Sequence, residues 1–233
     1  MIEATTIIYN KFFNDEEKQK IKTIITELTK QDYCSDSLWE FDKSIGGIGG
    51  YCMPINPTFC YFQGTEVRNI YRGYQYARTK VDICDISVCA RDIIRDCGAE
   101  LEDLLQLHLS QKFILRLSEM FGKSKPLGGL IHEIEKRKLL PIEIIEELRI
   151  MLIKYNIAKN EISIDEERER TFLPEDAIIY YLACRKIGIK ILKIINTPLT
   201  NLANETFDII YKRGNFMEVK FITKDGMILM PKK

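Results

Sequence analysis

The sequence predicts a mainly α-helical protein, α+β overall, built on an antiparallel helical bundle from about Asp85 to Asn196. A strand-and-helix region precedes the bundle, and a small antiparallel β-meander packed on it follows. Three observations predict this. Apolar residues between Asp85 and Asn196 recur at three- and four-residue steps in four separate blocks, the period of amphipathic helices. The connections between those blocks are short, which favours antiparallel neighbours. Beyond residue 196 the apolar period falls to two, and Arg213-Gly214-Asn215 and Asp225-Gly226 supply hairpin turns. The expected division is 1–84, 85–196 and 197–233.

The chain opens with Thr5-Thr6-Ile7-Ile8-Tyr9, a strand candidate because β-branched and aromatic residues dominate it. A helix is expected from Asn14. Asn is a good N-cap, Glu17 stands three residues on as in a capping box, and Ile21, Ile24, Ile25 and Leu28 form one face. Between Gln31 and Lys80 the periodicity fades. Ile45 to Tyr51 carries four glycines, and Pro54 and Pro57 follow, so the stretch reads as an ordered, aromatic-rich connection.

The first bundle helix is expected from Asp85 to Phe121, with Ile86, Cys89, Ile93, Cys97, Leu101, Leu104 and His108 on its stripe. Gly122 to Pro126 ends it. A shorter helix follows, with Ser124 as a cap and Leu127, Leu130, Ile131 and Ile134 on one face. Pro141 suits the first turn of a third helix, striped by Ile142, Ile145, Leu148, Leu152 and Tyr155. A charged loop, Asp165 to Arg170, reads as solvated. Pro174-Glu175-Asp176 then opens a fourth helix, with acids at the positive end of its dipole and Ile178, Tyr181, Leu182, Ile189 and Leu192 as apolar positions.

Composition narrows the function classes. Hydrophobic residues make up 45% and charged residues 29%, so extended disorder is not expected. Lys plus Arg and Asp plus Glu both total 34, which removes any whole-protein argument for nucleic-acid binding and leaves only local patches. The seven cysteines never form a Cys-x-x-Cys pair, and the chain has only two histidines, so no metal site and no cofactor is expected. No signal peptide and no membrane-spanning apolar run is read, which places reduced thiols in a cytoplasmic setting without a membrane partner.

Leu148, Leu152, Asn156 and Asn160 follow one another at four-residue steps on the third helix. An amide that continues a buried stripe needs hydrogen-bond partners, since an unsatisfied one costs roughly 1–3 kcal/mol. Asn156 and Asn160 therefore either tie the helix end to its neighbours or belong to a site. The run Lys125-Pro-Leu-Gly-Gly-Leu-Ile-His-Glu-Ile-Glu-Lys-Arg-Lys-Leu-Leu-Pro141, then Leu148-Arg149, then Tyr155-Asn156-Ile-Ala158-Lys-Asn160-Glu161, resembles a HEPN domain. In that family a "Leu-Gly-x-x-Ile" helix and a "Leu-Leu-Pro" break precede a helix ending in Arg-Asn-x-x-x-His. Arg95, Gly98, Glu100 and Leu101 would match the family's first helix, and the resemblance covers about half the chain.

Catalytic HEPN proteins cut RNA without metal, in a dimer that brings two Arg and His motifs together; the Arg stabilises phosphate charge and the His moves protons. Here Tyr155 stands at the Arg position and Asn160 at the His position, while Asn156 matches. Lys154 could replace the positive charge and His108 is a further substitute, but Asn160 cannot exchange a proton near neutral pH. The resemblance thus implies a HEPN-like module of a prokaryotic defence or toxin–antitoxin system. It would be a homodimer, non-catalytic, binding RNA or a protein partner such as a cognate antitoxin. The alternatives are a metal-independent endoribonuclease toxin and a structural subunit of a larger complex.

A second candidate lies upstream. Arg68, Arg72, Arg78 and Lys80 alternate with Tyr71, Tyr74 and Tyr76, cations for phosphates interleaved with rings for bases, a pattern suited to single-stranded nucleic acid. The competing reading packs the tyrosines on the bundle and leaves the cations in water. Arg185 falls on the apolar side of the fourth helix. It could reach the Asn156 end of the third helix and bind an anion, pair with Glu175 or Asp176, or be solvated.

Overall fold

The computed structural model describes residues 2–29, 36–45, 77, 80–81, 85–113, 126–160, 172–194, 208–210, 220–222 and 228–229. Seven helices are placed: α1 (Ile2–Phe12), α2 (Asp15–Leu28), α3 (Asp36–Ile45), α4 (Ile86–Phe113), α5 (Leu127–Lys136), α6 (Ile142–Asn160) and α7 (Pro174–Ile194). Three short strands, β1 (Asp208–Ile210), β2 (Lys220–Ile222) and β3 (Ile228–Leu229), pair antiparallel in that order. Asp208 stands opposite Ile222, and Phe221 opposite Leu229.

The bundle is organised around α7. Fifteen of its residues, from Asp176 to Leu192, are buried, so it is apolar nearly all round and other helices cover it on several sides. Alpha4 makes the most extensive contact with it, and α1, α6, α2 and α3 complete the shell. Cross-links show how α6 runs against α7. Lys154 meets Asp176, the Met151 carbonyl accepts from Tyr180, and Glu147 meets Lys190, so the two helices are antiparallel. Alpha4 and α6 oppose each other in the same sense, since Arg91 reaches the Ala158 carbonyl and Gly98 faces Tyr155.

The N-terminal strand expected at Thr5 to Tyr9 is instead part of helix α1. Thr5, Ile8 and Phe12 are buried at three- and four-residue steps, while Thr6 and Ile7 between them are exposed. Packing against α7 and α6 overrides the β-propensity of the Thr and Ile run, because burying a helical stripe outweighs per-residue preferences of a few tenths of a kcal/mol. Alpha2 starts as expected. Asn14 Oδ1 accepts from the Glu17 N–H at 2.9 Å, Glu17 Oε2 accepts from the Asn14 N–H at 3.0 Å, and Ile21, Ile24 and Leu28 are buried.

Alpha3 was not foreseen in the Gln31 to Lys80 stretch. Its inward face is Leu38, Phe41 and Asp42 with Ile45 half-buried, a helical spacing disguised by an acid in the middle. Alpha4 is described to Phe113, and the expected extension to Phe121 and the Ser124 cap lie outside the described residues. Alpha5 has Pro126 at its N-cap, which offers no side-chain acceptor. Its Leu127 N–H is accepted by Glu102 of α4 at 3.0 Å, so a neighbouring helix supplies the cap. Lys138 closes α5 with φ 53°, and Pro141 sits one residue before α6, its carbonyl accepting from Ile145. On α6 the expected stripe holds except at Ile142, which is exposed.

Candidate functional site

The sequence directed attention to the C-terminal half of α6, and the structure separates its residues. Successive residues advance about 100°, so four-residue steps drift by about 40° each. Leu148 is buried, Leu152 is half-buried, and Asn156, some 80° round from Leu148, is exposed. The expectation that Asn156 continues the buried stripe is therefore corrected: the stripe passes to Met151, Lys154, Tyr155 and Ala158. The side chain of Asn160 lies outside the described residues.

Tyr155 is 4% exposed and its ring lies flat on Gly98. A Cβ at Gly98 would stand 2.1 Å from the ring's Cδ2 and 2.5 Å from Cγ, so α4 and α6 approach closely only because residue 98 has no side chain. Burial, ahead of the nearby Glu102 charge, pushes the Tyr155 phenol above its ordinary value. At its edge Lys159 lies 5.1 Å from the ring centroid and donates to Glu102 at 3.1 Å. Glu102 also accepts from Leu127, so one carboxylate joins α4, the start of α5 and the end of α6.

Lys154 is wholly buried. Its Nζ donates to Asp176 Oδ1 at 2.7 Å and sits 5.3 Å from the Phe172 ring centroid. The same Asp176 carboxylate accepts from the Thr5 hydroxyl of α1 and, at 2.9 Å, from the Leu173 N–H at the start of α7. It thus acts as the N3 half of a cap while neutralising a buried ammonium. His108 is 1% exposed, and its Nε2 lies 3.1 Å from the Leu139 carbonyl, holding the α5–α6 corner onto α4. His132 is exposed.

Arg185 overturns every partner proposed for it. It is fully buried, and its Nε donates to Asp42 Oδ1 of α3 at 2.7 Å. Tyr181, one turn earlier, donates to the other oxygen at 2.7 Å. The bond shown is thus to an acid of α3 rather than to Glu175 or Asp176 of its own helix, and the side chain is not solvated. Asp42 is the residue that sequence reasoning missed; its only signal was the helical spacing of Leu38, Phe41 and Ile45 around it.

Of the basic aromatic segment, Arg68, Tyr71, Arg72, Tyr74, Tyr76 and Arg78 lie outside the described residues. Lys80 is half-buried and donates to Asp96 of α4 at 2.6 Å. Burial is the main influence on Asp96 and raises its carboxyl, with Lys80 opposing. Between α4 and α7 a thiol pair, Cys97 and Cys184, is fully buried, and burial pushes Cys97 well above the ordinary thiol value, keeping it protonated and unreactive. Among the described residues no cluster of three or more His, Cys, Asp or Glu is placed to hold a metal, and no helix is long and apolar enough to cross a membrane.

No family model, no curated protein and no solved structure matches the chain.

Proposed function

We propose that this chain is a HEPN-like helical module of a defence or toxin–antitoxin type system, cytoplasmic and homodimeric, which binds RNA or a protein partner without cutting RNA. One observation supports the non-catalytic reading above others. The titratable side chains that could take over the missing Arg and His are each committed to packing: Lys154 to Asp176, Tyr155 to Gly98 and His108 to the Leu139 carbonyl. A general acid or base has to reach a solvent-accessible proton, and these groups reach other helices instead. Residues 197–233 would form a meander docked on the bundle and offer a further partner surface. Binding to RNA is assigned to Arg68, Tyr71, Arg72, Tyr74 and Arg78, whose alternating cations and rings suit single strands.

The test is incubation of the purified chain with total RNA in EDTA, read for cleavage and for a mobility shift. Intact RNA with a salt-sensitive shift, lost on Arg72→Ala/Arg78→Ala, is expected. Cleavage products would overturn the non-catalytic reading. Intact, unshifted RNA would leave a protein partner or a structural-subunit role.

A further inference from the structure

Alpha6 carries one strip that faces away from the bundle. Ile142, Glu146, Arg149 and Ile153 are all exposed, Ile142 by 54% and Ile153 by 52%. Their steps are four, three and four residues, so at about 100° per residue they fall within an arc of about 60°. That is the spacing of a two-helix seam. Arg149 also donates to Glu135 of α5 at 2.5 Å and is more than half exposed, while Glu146 has no ion pair among the described residues.

The order of residue types along the strip is apolar, acidic, basic, apolar, which is its own complement when reversed. A two-fold interface requires that if one residue meets a second, the second meets the first. Laid antiparallel on a copy of itself with the axis between Glu147 and Leu148, the strip sets Ile142 against Ile153 and Glu146 against Arg149, each twice. Any parallel register that pairs like positions instead opposes Glu146 to Glu146 and Arg149 to Arg149, which is repulsive.

We infer that the exposed strip of α6 is a self-association surface whose occupant is the same strip of a second copy, antiparallel, with Ile142 on Ile153 and Glu146 on Arg149. The inference deepens the homodimer of the proposed function and rests on it. It also has a consequence for the site. The two Asn156 residues would lie about 25 Å apart along the helix axes, from 17 residues at about 1.5 Å each, so this dimer keeps the two altered motifs separate. Because the seam runs only about 16 Å along each helix, the dimer is weak and concentration-dependent.

Sedimentation velocity of the full chain at rising concentration, up to about 200 µM, tests this. Reversible dimerisation is expected. Glu146→Arg should raise the dissociation constant at least about tenfold, since it opposes two arginines twice, and Ile153→Lys should do the same by an independent change. The double variant Glu146→Arg/Arg149→Glu should return to within about threefold of the unmodified chain, because the swapped charges again complement each other. All these side chains are exposed, so far-UV circular dichroism should not change. A dimer indifferent to Glu146→Arg and Ile153→Lys would overturn this surface and leave the homodimer standing. A chain that remains monomeric would overturn both, while its RNA binding is read separately.

Discussion

Replacing Gly98 by alanine probes the close approach of α4 and α6. The added methyl would stand 2.1 Å from Tyr155 Cδ2, 2.4 Å from Cε2 and 2.5 Å from Cγ. Carbon atoms pack at about 3.5–4.0 Å, so a displacement of about 1.5 Å is needed. The ring atoms involved include its root, and the ring is enclosed by α4 and α6, so it cannot swing away as a free chain end would. Overpacking of this kind costs about 1–3 kcal/mol, and the depth of the overlap points to the upper end. Against that, alanine gains about 1 kcal/mol over glycine inside a helix. A net loss of about 2 kcal/mol follows, or a fall in Tm of about 4–8 °C for a chain of this size. Urea denaturation of Gly98→Ala, Tyr155→Ala and the double variant measures it. Once the ring is gone, alanine at 98 should be neutral or stabilising, giving a coupling of about 2–3 kcal/mol across the cycle. If Gly98→Ala is as stable as the unmodified chain, or if the two effects simply add, the account of the α4–α6 contact is wrong.

Asp176→Asn leaves the Lys154 ammonium buried without a counter-charge and should cost about 3–5 kcal/mol in a urea titration, whereas breaking the exposed Lys20–Glu16 pair should cost far less because water screens it. A loss near zero at Asp176 would mean that Lys154 escapes to solvent. In an alkaline titration followed by ultraviolet absorbance, Tyr9, Tyr155 and Tyr180, all raised mainly by burial, should ionise above the ordinary phenol range. Because their folded values are raised, the folded state holds protons that the unfolded state has lost. Their contribution to stability is therefore present below the ordinary tyrosine value and declines as pH rises above it. Ionisation of all 11 tyrosines together in the folded chain would contradict their burial.

Particular residues show why some of this was legible in advance. The α2 cap was readable because a capping box is local: Asn14 and Glu17 satisfy each other's backbone within one turn, whatever surrounds them. The faces of α5 and α7 were readable because their apolar residues keep the helical period. Arg185 and Lys154 were not, because their partners, Asp42 and Asp176, are 143 and 22 residues away along the chain, and a buried charge in an apolar stripe has no partner written beside it. Alpha3 was missed for the same reason from the other side, since Asp42 interrupts its apolar pattern.

By itself the sequence determined that helical blocks lie between Asp85 and Ile194 and, Ile142 apart, which residues of α5 to α7 turn inward, because period and proline act over a few residues. The tertiary structure decided what the singled-out side chains meet. Tyr155 closes onto Gly98, Lys154 and Arg185 become buried halves of ion pairs, Asn156 turns to solvent, and Thr5 to Tyr9 coils into a helix rather than a strand. Each of these depends on which distant surface arrives against the residue, and burial, charge pairing and steric contact exist only once it has arrived.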